Sequence, residues 1–252
     1  MSASKQLPKI FLLLSVCFAV AVAFFAIEER FGGSPFEPLE RYPTHLSPIP
    51  WSLYAVAPLL AGMAALSAFQ FFPKQRVNKR LARSRFYLTT AMLLFGAWAM
   101  AWCYGALFAS AVAMTLMVAA FAKAAMAMEL RVAVPPSEVW LARAPVALFF
   151  GWSTTLAVVN WATLFRSLKW KLQWLSPEAW AALMLAALAL FSLWFCLRFW
   201  DLFFIGAVVW GFLGIALKQD ASEFVSRTAW LSIFVMILAI LIKAPRKLLE
   251  EA

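Results

Sequence analysis

Charge is what this chain has least of. Only 13% of its 252 residues are Asp, Glu, Lys or Arg, and 65% are apolar, against roughly 25% and 45–50% in a soluble globular domain. With a mean hydropathy of +0.82 and uncharged runs spread along the whole length, the bilayer is the main solvent for the side chains, which excludes a cytosolic enzyme with a membrane tail. Histidine is nearly missing, the single copy being His45, which reads as a solvated loop side chain. The three cysteines, Cys17, Cys103 and Cys196, lie in or at the end of apolar runs with no Cys-x-x-Cys or Cys/His spacing, so no disulfide framework and no metal site is legible. No pair of carboxylates falls within an apolar run, and no Gly-rich phosphate loop, serine nucleophile elbow or His-Glu-x-x-His occurs. Acid–base, phosphoryl-transfer and metal-hydrolase chemistry therefore lack candidates, and the chain is expected to have no catalytic residues and not to be an enzyme.

What charge there is has a pattern. The net charge of +10 would suggest nucleic acid in a soluble protein, but here the basic residues cluster between apolar runs, as topogenic charge does. No nucleic-acid partner is expected. The runs predict an all-α polytopic membrane protein. Residues 10–27 read as a retained helix rather than a cleaved signal, since 18 apolar residues exceed a signal's usual 7 to 15. Residues 28–50, with five prolines, two glycines and four acids, read as an extended, ordered loop. A second span follows over 51–72, with a tolerated kink at Pro58 or Gly62. Residues 73–85 carry six Lys/Arg, Lys74 and Arg76 among them, and no acid, which places them in the cytoplasm.

From 86 to 122 no residue is charged, and ~55 Å of helix is too long for a ~30 Å hydrocarbon core, so the run must fold back once, at Tyr104-Gly105. After a loop over 123–143 come a fifth span at 144–165 and a sixth that opens on Ser176-Pro177-Glu178, a helix-start signature. The runs 202–217 and 228–242 are short for full crossings and are assigned as spans seven and eight. With an inside N-terminus, 15 of the 22 Lys/Arg fall on the inner side. Both termini are therefore expected in the cytoplasm, in a bacterial inner membrane, although Arg166, Lys169 and Lys171 run against the bias.

Polar residues inside the spans are few. Arg198 and Asp201 are three apart, on one face if helical, and read as a mutually neutralised turn. Ser153, Ala157 and Asn160 share a face of the fifth span, which should turn inward, with Trp152 a quarter-turn away. Ala61, Ala65, Ala207 and Gly211 would allow helices to approach closely. Of the 13 tryptophans, Trp51, Trp102, Trp161, Trp170 and Trp174 would lie near the outer interface, as belt anchors or as walls of an apolar cleft for a flat ring system.

Pro48-Ile-Pro-Trp-Ser-Leu-Tyr54 resembles the Pro-rich, aromatic loop-to-helix motif of the TspO family, the tryptophan-rich sensory or translocator proteins. The stretch Ala144-Pro-Val-Ala-Leu-Phe-Phe-Gly-Trp-Ser-Thr-Thr-Leu-Ala-Val-Val-Asn160 is similar to that family's fifth helix. Arg198-Phe-Trp-Asp201 followed by Trp210-Gly-Phe-Leu-Gly214 resembles longer relatives with extra C-terminal helices. The resemblance implies a TspO-like five-helix bundle (residues 1–171) followed by about three more transmembrane helices (172–252). It also implies a site for a porphyrin or other flat hydrophobic ligand lined by Trp51, Tyr54, Trp98, Trp152 and Asn160, a sensory, ligand-handling or transport role, and a homodimer. Phe95 and Val56 stand where the family has asparagine and tryptophan, so the pocket is expected to be less polar. The contrasting expectation, from the shortage of ionisable groups, is a non-catalytic subunit of a larger membrane complex.

Overall fold

The computed structural model describes residues 6–75, 77–130, 132–170, 174–199, 201–218 and 222–250. Arg76, Lys171 and Trp200 lie outside the described residues. Every regular element among those described is helical. The helices are α1 (Leu7–Ile27), α2 (Glu37–Arg41), α3 (Val56–Phe69), α4 (Lys79–Cys103), α5 (Leu107–Ala127), α6 (Pro136–Glu138), α7 (Ala144–Ser167), α8 (Pro177–Phe199), α9 (Leu202–Ala216) and α10 (Glu223–Glu250). Among the described residues seven helical segments are long and apolar enough to cross a membrane, and α9 is a shorter apolar helix. The protein is thus an all-α polytopic membrane protein.

Local chemistry sets the boundaries. The fold-back between α4 and α5 falls at Tyr104-Gly105, where Gly105 has φ +70°, a left-handed conformation that costs a residue without Cβ nothing. α8 opens as its sequence suggests: Ser176 Oγ accepts the backbone N–H of Ala179 at 3.2 Å, and Pro177 needs no donor in the first turn. Pro58 falls in the first turn of α3, where a missing N–H is best tolerated. The last helix starts earlier than its uncharged run, since Arg227 pairs with Glu223 one turn before it. The loop over 28–50 is ordered but not wholly extended. It contains α2, and a 3₁₀ segment, Pro50–Ala55, leads from it into α3.

Helices α1, α4, α5, α7 and α3 pack in a closed ring in that order, each against the next and α3 back on α1. α9 lies against α7 outside the ring, and α10 packs on α8 and α9. Lipid tails are as apolar as leucine, so close packing holds such a ring together more than burial does. Within it Phe149 stacks on Phe121 and meets Phe95 edge-on, all three fully buried. The tight α7–α9 approach rests on Gly151 and Gly211: a Cβ on Gly211 would lie 2.5 Å from Thr155 Cγ2. On α3 the close approach is at Gly62, against Pro145, one residue beyond the exposed Ala61.

At the end of the bundle opposite the 28–55 segment, polar groups tie the connections together. Glu138, 5% exposed, accepts from Asn78 Nδ2 at 2.8 Å and Arg80 Nε at 3.1 Å, while Asn78 Oδ1 caps α4 through the N–H groups of Arg80 and Leu81. Arg143 donates to the carbonyls of Met128, Glu129 and Leu130 at the end of α5. The continuous helix that would set Arg198 and Asp201 on one face is interrupted. Asp201 is extended and caps α9, accepting from Phe204 N at 3.0 Å, and burial raises its carboxyl above the usual carboxylate range. Removing Glu138 takes away the acceptor that Arg80 and Asn78 share. Because Arg80 keeps about a quarter of its side chain exposed, Glu138→Ala is expected to cost about 2 kcal/mol rather than the ~3–5 of a fully buried pair. A thermal unfolding scan in detergent reads this as a midpoint lower by about 5 °C.

Candidate functional site

A cavity of about 300 Å³ opens at the end of the ring that carries the 28–55 segment. Its walls come from α1, α3, α4 and α7, and its roof from Pro35, Phe36 and Leu39 of the loop. α4 supplies Trp98 and Trp102 from one face, four residues apart, with rings stacked at 6.4 Å. α7 supplies Trp152, edge-on to Trp98 at 6.1 Å. Three tryptophans from two helices give the cavity an aromatic wall that suits a planar apolar molecule.

The polar groups of this slot hold it in shape. Asn160, 2% exposed, accepts from Trp98 Nε1 at 3.1 Å and from Ser110 Oγ at 3.2 Å, and donates to Leu156 O at 3.0 Å. One asparagine thus fixes the ring plane of Trp98 and joins α4, α5 and α7. Trp102 Nε1 donates to Pro35 O at 2.8 Å, so a wall residue also carries the roof. The far half of the loop hangs on α9. Ile49 N donates to Gly214 O at 2.9 Å, Trp210 Nε1 donates to Ser52 O at 3.0 Å, and Trp51 packs edge-on against Trp210 at 5.2 Å. His45 does more than meet solvent: its Nε2 lies 3.4 Å from Glu178 Oε1 at the start of α8.

Of the residues singled out in the sequence, Tyr54, Trp98, Trp152 and Asn160 meet at this cavity. Trp51 is not among its lining residues and lies on the α9 side of the loop. Phe95 and Val56 line it where asparagine and tryptophan stand in TspO proteins, and both are apolar. Trp102 is a buried wall residue rather than an interfacial anchor, whereas Trp174 is 89% exposed. The spacing of four between Trp98 and Trp102 was the signal for the wall role of Trp102. Glu29 at the rim had no comparable signal, because one acid among four in the loop looks like any other.

No curated protein and no solved structure gives a match to the chain. A family model described as TSPO-like protein matches residues 9–242, which takes in the ring, the cavity and the helices beyond it. The chain therefore belongs to the TSPO-like protein family, as a multi-pass integral membrane protein.

Proposed function

We propose that this protein binds a flat hydrophobic ligand in the cavity lined by Trp98, Trp102 and Trp152, and that its role is sensory or ligand-handling rather than catalytic. The observation that carries the reading is the pre-shaped aromatic cavity under the loop, with its wall held in register by Asn160. Size limits the ligand. A volume of about 300 Å³ is the room of roughly ten waters at ~30 Å³ each, enough for a two- or three-ring aromatic. A tetrapyrrole would enter by one edge, with the rest of its macrocycle protruding through the mouth. The clustering of basic residues at the other end supports a bacterial inner membrane with cytoplasmic termini.

Titration of the purified protein with acridine, followed by tryptophan quenching and by displacement with an unlabelled aromatic, tests the reading. Binding should be saturable and competable. Trp152→Phe removes about 40 Å² of apolar wall, worth about 1 kcal/mol, so affinity should fall about fivefold. Linear, non-competable quenching in both proteins would show partitioning into detergent and defeat the proposal. Protoporphyrin displacing acridine would support entry by an edge.

A further inference from the structure

We infer that the cavity selects lipophilic organic cations, with Glu29 at its rim as the residue that discriminates by charge. The inference rests on the proposed ligand site and adds the chemical class of the ligand. Glu29 is the one carboxylate among the described lining residues, and no lysine, arginine or histidine is among them. It is exposed and lines the cavity from the end of α1, so it stands where the slot meets the surface. Trp98 and Trp102 line the same cavity. A cation over an indole face is attracted by the ring quadrupole, and aromatic walls are the usual surface on which substituted ammonium groups are recognised.

The backbone makes this carboxylate unusual. Among the described residues, three helices end in a left-handed residue that is not glycine: Glu29 after α1 (φ 56°), Glu129 after α5 (φ 52°) and Lys169 after α7 (φ 52°). The C-terminal end of a helix is its negative pole, where a cation is favourable and an anion is not. Lys169 has the favourable sign. Glu129 has the wrong sign, but Arg83 reaches it at 3.0 Å. Glu29 has the wrong sign and no ion pair among the described residues. The Arg30 N–H bonds to Phe25 O at 2.9 Å, closing the helix end and holding position 29 in place. A residue type that breaks two local preferences at the rim of a cavity, with no compensating partner from the protein, is suited to a partner from outside. The field at the mouth, from the carboxylate and the helix pole together, favours a positive ligand group and opposes a carboxylate.

Three probes that share one ring separate charge from shape: 9-aminoacridine, cationic at pH 7; acridine, neutral; and acridine-9-carboxylate, anionic. Each is titrated into the full-length protein in a non-ionic detergent. We expect the cation to bind up to about fivefold more tightly than the neutral ring and the anion to bind more weakly than either. Glu29→Gln should bring the cation down to the affinity of the neutral ring while leaving acridine itself unchanged. Glu28→Gln, one residue outside the lining, should leave all three as in the wild type. Equal affinities for cation and neutral ring, or a cation preference that survives Glu29→Gln, would overturn the charge assignment and leave the flat-ligand site standing. Absence of saturable binding by all three probes would overturn the site and the inference with it.

Discussion

Gly151→Leu is expected to lower the unfolding midpoint by about 10 °C, because there is no room for a side chain between α7 and α9. A Cβ at position 151 would overlap the carbonyl oxygen of Phe204 and lie 2.9 Å from Ala207 Cβ. A backbone carbonyl inside a helix cannot swing aside, so the whole of α9 must move, and one turn further along Gly211 and Thr155 would lose their contact as well. Overpacking of this kind costs up to about 3 kcal/mol, and a chain of this size shifts by roughly 2–4 °C per kcal/mol. Gly206→Ala is the control. A Cβ there meets nothing within 4 Å, so the substitution should be neutral or stabilise through helix propensity by up to about 1 kcal/mol. A Gly151→Leu protein that melts with the wild type would show that α9 does not sit against α7 in this way.

The second large effect falls on the ligand. Asn160→Leu keeps approximate size but takes the acceptor from Trp98 Nε1. Ser110 keeps its bond to Leu107 O, so the stranded group is the indole N–H, at a cost of about 1–2 kcal/mol. The ring can recover part of that only by rotating out of the plane that forms the slot. Acridine affinity should therefore fall about tenfold, and the near-ultraviolet circular dichroism of the Trp98–Trp102 stack should change with it. Weakened stability with unchanged affinity and spectrum would separate Asn160 from the site.

The sequence revealed the fold where a physical limit was sharp. An uncharged run of 37 residues cannot be one helix in a bilayer, and the turn falls where glycine permits φ +70°. It was less informative where a residue's role depends on something distant. Glu138 and Arg80 are 58 residues apart, and nothing local marks them as partners. Asp201 reads as half of an ion pair from its spacing to Arg198, but the chain leaves the helix at that point and the carboxylate caps the next one instead. At the candidate site, Tyr54, Trp98, Trp152 and Asn160 could be named from motifs. Their meeting at one cavity depends on the ring order of α1, α4, α5, α7 and α3, which hydropathy does not encode. Trp51 and Trp210, each ordinary in its own segment, form a contact across 159 positions.

That last contact ties two equilibria together. Pro48 to Ser52 are fastened to α9 through Gly214 and Trp210, and the next two residues, Leu53 and Tyr54, line the cavity. Were the proposed ligand bound there, the same few residues would report the seating of α9 to the ligand and the presence of ligand to α9. By thermodynamic linkage, whatever factor a ligand gains when α9 is seated, α9 gains in seating when the ligand is bound. With a ligand in the cavity, occupancy would thus be readable outside the ring, at a helix the ligand does not need to touch.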